Sequence, residues 1–141
     1  MHILKLKTLS LGIFLLLPSL SWAQTKDTNQ ANDYQDEIFV VVEEYPQFPG
    51  GEEARFKFLA DHTVFPNEAK SNNIQGRVIV GFIVEKDGSI TNVKVLKSAN
   101  RLLDAEAIRV TKLMPKWEPG KQKGKKVRCQ YQMPIVFVIT Y

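Results

Sequence analysis

The stretch RVIVGFIVEKDGSITNVKVLK, residues 77–97, decides how this chain folds. Two apolar, β-branched runs flank Lys86-Asp87-Gly88-Ser89. Asp-Gly between such runs signals a hairpin, because glycine takes the positive φ that a tight turn demands. We therefore expect a strand over Arg77–Glu85, a turn, and a return strand over Ile90–Lys97. Downstream, Leu102–Met114 carries Leu103, Ala107, Val110 and Met114 at helical spacing and stops at Pro115. Lys125–Thr140 then alternates as a long strand, with Val127, Cys129, Tyr131, Met133, Ile135, Phe137 and Ile139 on one face and Arg128, Gln130 and Gln132 on a wetter one. Upstream, Ile38–Glu43 reads as a short strand, and Glu52 to His62 as a helix with Phe56, Leu59 and Ala60 on its apolar side. Pro66 opens a further short turn or helix through Lys70. This order predicts a two-layer α+β domain over residues 38–141: an antiparallel β-sheet with two helices packed on one face. There are too few strand–helix–strand crossovers for a doubly wound sheet.

The 141 residues suit one domain plus a leader, and 44% hydrophobic content suffices for a core. No internal repeat is visible. Lys5 and Lys7, the apolar run Leu9–Leu17, Pro18 and the small residues Ser21 and Ala23 read as a secretory signal peptide over residues 1–23. The run is shorter than a membrane span requires; an uncleaved inner-membrane anchor is the alternative. Residues 24–37 are polar and acidic and read as a flexible arm. Residues 24–53 carry eight acids and one Lys, whereas residues 54–141 carry 16 bases and seven acids. The basic run KWEPGKQKGKKVR, residues 116–128, is punctuated by Gly and Pro and reads as a solvated loop, with an anionic membrane or protein contact favoured over nucleic acid. The single cysteine, Cys129, has no partner for an internal disulfide and reads as a buried strand residue.

Catalytic chemistry finds little support. Gly50-Gly51 leads straight into Glu52 and Glu53, whose carboxylates occupy the positive end of the helix and would repel a phosphate. The glycines therefore serve helix entry. No G-x-S-x-G elbow surrounds Ser71, Ser89 or Ser98. His62 has no second His or Cys nearby, so no metal ligand set and no cofactor site is implied. An enzyme built on His62 would need an activity to be found first, and we read the chain as no enzyme.

Phe65-Pro66, Ala69, Gly76, Asp87-Gly88, Ser98 and Leu103-Asp104 fall in an order and spacing that resembles the C-terminal domain of TonB proteins. Pro46-Gln47-Phe48-Pro49-Gly50-Gly51 and Met114-Pro115-Lys116-Trp117 are similar to a variant of that family from Gram-negative bacteria, so the likeness covers about residues 45–141. The resemblance implies a periplasmic binding module, in which an extended segment of an outer-membrane transporter or receptor adds as a strand beside the last strand. That implies partner contacts from Arg128, Gln130, Gln132, Pro134, Val136 and Val138, and from the aromatic-Pro pair Phe65-Pro66. Pro134 lacks an N–H, which fits an edge or a bulge. The family commonly has Tyr-Pro where this chain has Phe65-Pro66, which weakens a receptor contact there. A full TonB adds a membrane helix bearing Ser and His and a long Pro-rich linker. Here the apolar run holds Ser10 without a His, and Gln24–Glu44 has no Pro and spans at most ~75 Å. We therefore expect a module related to TonB-dependent transport without its own energy-coupling anchor. The alternative is a structural envelope protein that self-associates, as a homodimer, through the same edge.

Overall fold

The structure, a computed structural model, describes residues 37–141. The expected leader and all but the last residue of the acidic arm lie outside the described residues. The elements in chain order are β1 (Ile38–Phe39), α1 (Gly51–His62), α2 (Asn67–Ser71), β2 (Gly76–Val84), β3 (Ile90–Lys97), α3 (Arg101–Lys112), β4 (Lys121–Gln122), β5 (Lys125–Lys126) and β6 (Arg128–Phe137). Four strands form one sheet in the order β1-β6-β2-β3, and β4 and β5 form a separate small hairpin. The main sheet is antiparallel except for the short parallel pair β1–β6. The α+β class read from the sequence is the fold observed.

The central hairpin forms as its residues dictate. Gly88 stands at φ +87°, its N–H donates to Glu85 O, and Glu85 N–H donates to Ser89 O, both at 2.8 Å. Asp87 accepts from the Ser89 N–H and hydroxyl at 2.9 and 2.6 Å, which closes the turn. One face of β2 presents Val78, Val80, Phe82 and Val84 to the core. Met133, Ile135 and Phe137 of β6 and Leu103, Ala107 and Val110 of α3 bury against them. Each of these side chains except that of Ala107 contributes roughly 1.5–3 kcal/mol by leaving water. Asn100 caps α3, its side chain accepting from Leu102 N–H at 2.8 Å. Asp104 fastens the entry to the same helix by accepting from Ala99 N–H and from the Ser98 hydroxyl.

Four sequence expectations are corrected. The strand expected over Ile38–Glu43 ends after Phe39, because Val42 turns inward onto Val127 and Cys129 and the next backbone groups pair elsewhere. Glu44 and Gln47 exchange backbone hydrogen bonds with Lys121 and Glu118, at 2.8–3.1 Å. In α1 the residue that goes inside is Arg55, while Phe56 is 58% exposed; Ala54, Phe58 and Leu59 form the helix's packed side. The last strand is interrupted: β5 turns back on β4 through Lys123 and Gly124, both at positive φ, and β6 ends at Phe137 opposite Gly76, where β2 begins. The basic run is no plain solvated loop, since Trp117 is only 3% exposed and sits against Phe48, Phe82 and Tyr131, with ring centroids 5.0–5.7 Å away.

An ion pair within α3 bonds to the backbone at the end of α1 and makes stability depend on acid. Glu106 on α3 accepts from Val64 N–H at 2.7 Å and from Arg109 at 2.6 and 2.7 Å, and Arg109 donates on to His62 O at 2.9 Å. Burial pushes the Glu106 carboxyl up, but the bonds from Arg109 and Val64 outweigh it and hold it below its ordinary 4.5. Arg128 does the same for Glu85 across the sheet. A carboxylate whose pKa is lower in the folded state stabilises fully above its unfolded value, and this is lost as pH falls through the folded one. Unfolding free energy should therefore decline below about pH 4.5. In Glu106→Gln the decline should be shallower, with only a small loss at neutral pH, because the amide oxygen still accepts from Val64 N–H while the solvent-exposed Arg109 loses its charge partner. Urea melts at stepped pH check this; parallel acid limbs in the two proteins would disprove it.

Candidate peptide-binding edge

β6 has two sides. Its inner side pairs with β2 in an unbroken register from Gly76↔Phe137 to Val84↔Cys129. Its outer side pairs with β1 only at Ile38↔Arg128 and Phe39↔Cys129. Beyond Cys129, among the described residues, no strand pairs with the outer side. The strand is thus not an edge throughout, as expected, but becomes one from Gln130 onward.

Pro134 shows which backbone groups face outward. It stands opposite Ile79 within the unbroken register. A residue without an N–H keeps a ladder intact only at a pair that exchanges no hydrogen bonds with its neighbour. The groups of Pro134 therefore point away from β2. By the alternation of a strand, so do those of Gln130, Gln132 and Val136. Apart from the missing donor at Pro134, the outer side offers a row of N–H and C=O groups.

The expected contact residues divide accordingly. Gln132, Pro134 and Val136 are exposed on this stretch, Gln130 is half-buried at its start, and Val138 is exposed just past the strand's end. Arg128 lies at the position β1 occupies, and its guanidinium pairs with Glu85 at 2.7 Å. Phe65 is half-buried, edge-on to Phe137 with centroids 5.8 Å apart, and Pro66 caps α2. That pair belongs to the packing of the core, not to the row of outward backbone groups. His62 stacks on Phe58 at 4.1 Å and its Nδ1 lies 2.8 Å from Phe58 O, so the ring finishes α1. Cys129 is fully buried, and burial pushes its thiol pKa up, away from the reactive thiolate. No cluster able to hold a metal ion occurs among the described residues.

α1 supplies what the sequence reading assigned to the core. A groove of about 300 Å³ runs between Phe56, Leu59, Ala60 and Thr63 on one side and Pro134, Ile135 and Val136 on the other. Nearer the start of β6, a second hollow of about 320 Å³ is lined by Gln47, Glu52, Arg55 and Tyr131, among others. Arg55 donates to the Tyr131 hydroxyl at 3.1 Å and pairs with Glu52. The signal was in the sequence: Phe56, Ala60 and Thr63 share one helical stripe. Its exposure could not be read there, because Arg55 rather than Phe56 turns inward.

Comparison with known proteins assigns the fold. Residues 61–139 match the Gram-negative bacterial TonB protein C-terminal family. The chain belongs to the TonB C-terminal domain family. The TonB C-terminal domain is a protein-interaction domain and not an enzyme. The Protein TonB of Pseudomonas aeruginosa is 38% identical over 82 residues, which is 56% of this chain and 23% of that protein. The chain thus spans about a quarter of the length of that relative. The solution structure of the P. aeruginosa TonB C-terminal domain aligns over 56% of this chain and 80% of its own, at 32% identity and a TM-score of 0.47. A Helicobacter pylori TonB C-terminal domain aligns over 61% and 78%, at 24% identity and a TM-score of 0.48. Among the described residues of this TonB C-terminal domain, no helix is long and apolar enough to cross a membrane.

Proposed function

We propose that this domain works in the periplasm as a TonB-like binding module in TonB-dependent transport. It captures an extended segment of an outer-membrane transporter or receptor by adding it as a strand to β6. The observation that carries this is the outer side of β6: from Gln130 to Phe137 it has no strand partner among the described residues, and Gln132, Pro134 and Val136 are exposed on it. An unpaired strand edge captures an extended peptide through main-chain bonds. Pro134 is also consistent with a managed edge, since one missing donor discourages indiscriminate pairing between sheets.

Photo-crosslinking in living cells from Gln132 tests the reading, with partners identified by mass spectrometry. The expected product is the N-terminal segment of an outer-membrane receptor. Capture of the chain by itself alone would replace the reading with self-association through the same edge. Val136→Pro supplies the matching variant. It removes one outward N–H at a position where β2 requires none, so the domain should fold while capture weakens at least about tenfold through the lost bond and the added ring. Undiminished capture would show that the segment binds elsewhere.

A further inference from the structure

We propose that the hollow between Phe48 and Tyr131 binds a primary carboxamide, the side chain of an asparagine or glutamine from a partner protein. The site needs no pairing with β6 and stands apart from strand capture. It begins with two unmet donors. Arg55 Nε–H and Trp117 Nε1–H have no hydrogen-bond acceptor among the described residues. Arg55 is 6% exposed and Trp117 3%, so solvent hardly reaches either residue. A buried donor without an acceptor is unfavourable, and native folds leave few of them. Both residues line the same hollow of about 320 Å³, together with Gln47, Phe48, Glu52 and Tyr131. That volume is near the low end for ligand pockets, about 300–1,000 Å³, and suits one side chain of a passing chain rather than a whole cofactor.

The rest of the lining decides which acceptor fits. Among the described residues that line the hollow, Arg55 is the one cation and Glu52 the one anion. One N–H of Arg55 donates to the Tyr131 hydroxyl at 3.1 Å, and another pairs with Glu52. The hollow is therefore already neutral. A ligand carboxylate would bring a second negative charge against Glu52, with Glu53 next to it on α1. An ammonium would face Arg55, and both it and an aliphatic side chain would leave the two donors unmet. A carboxamide is neutral and carries both functions: its C=O accepts and its NH2 donates. The C=O serves the buried donors. The NH2 meets Glu52 and Gln47, both of which are exposed and so stand at the mouth. The Glu52 side chain is 67% exposed against 7% for Arg55. It shifts toward solvent without losing hydration, which lets the guanidinium turn its Nε–H edge to the amide while Glu52 accepts from the NH2.

NMR titration of the isotope-labelled full chain tests this, because the Trp117 indole N–H and the Arg55 Nε–H each give a signal of their own. The probe is N-acetylglutamine methylamide, with the capped glutamate and capped leucine analogues as comparisons. The glutamine probe should move both signals saturably and bind at least about tenfold more tightly than either comparison. Glu52→Gln, a conservative change at an exposed site, should abolish the preference over glutamate, because Arg55 then lacks its anion. No movement of either signal with any probe would leave the donors to water and the neighbouring rings, and would overturn the site. Equal affinity for the glutamine and leucine probes would overturn the carboxamide assignment. A preference over glutamate that persists in Glu52→Gln would overturn the role given to Glu52. Free glutamine binding about tenfold more tightly than its capped form would overturn the protein source and assign the hollow to a free amino acid.

Discussion

Gly88→Val should leave the chain without a folded state at room temperature. Gly88 sits at φ +87°, where a β-branched residue is strained, and a Cβ there would lie 2.0 Å from the Trp117 carbonyl oxygen. That oxygen belongs to the backbone and cannot swing away as a flexible side chain would. The contact is also anchored, because Trp117 N–H donates to Gly88 O at 2.8 Å. Relief requires separating the hairpin turn from the Trp117 segment, which breaks this bond and opens the aromatic cluster. A loss of at least ~4–5 kcal/mol is expected, comparable to the whole stability of a small domain. Circular dichroism and a urea titration would show it. A cooperative transition near the unaltered midpoint would mean that the two segments can part at little cost.

Trp117→Ala comes second, with an expected loss of about 3–5 kcal/mol. The ring sits within 5.0–5.7 Å of Phe48, Phe82 and Tyr131, centroid to centroid, and it ties three segments of the chain to one point. Phe48 precedes α1, Phe82 lies on β2 and Tyr131 on β6, and none can fill the space without leaving its own neighbours. The denaturant midpoint should fall while the slope stays near its original value, provided unfolding remains two-state. A loss under about 1 kcal/mol would mean that the cluster collapses onto the cavity.

The sheet and α3 were legible because their signals are local. Asp87-Gly88 fixes the hairpin, alternation fixes the inward faces of β2 and β6, and Leu103, Ala107 and Val110 trace one helical stripe. What the sequence could not disclose depends on partners distant along the chain. Ile38–Glu43 is rich in β-branched residues, yet it leaves the sheet because Glu44 and Gln47 meet Lys121 and Glu118 some seventy residues on. Phe56 has the spacing of a core residue, yet Arg55 takes the inside because the Tyr131 hydroxyl and Glu52 receive its charge. Lysines around Trp117 hid a core residue within a run that looked solvated. The candidate edge was half legible for the same reason. Pro134 marked an outward-facing backbone, but the short cover that β1 lays over Arg128 and Cys129, and the wall that α1 adds beside Ile135, come from tertiary packing alone.

The unbroken ladder between β2 and β6 has a mechanical side. A pull along the axis of β6 loads the rungs from Cys129 to Phe137 together, in shear, and all must yield at once. A pull perpendicular to the strand at Phe137 opens them singly, like a peeled strip. A ligand strand held alongside β6 would share that anisotropy, firm under lengthwise tension and easily unzipped from one end. The direction of the load, rather than the equilibrium affinity, would then decide how long the attachment survives.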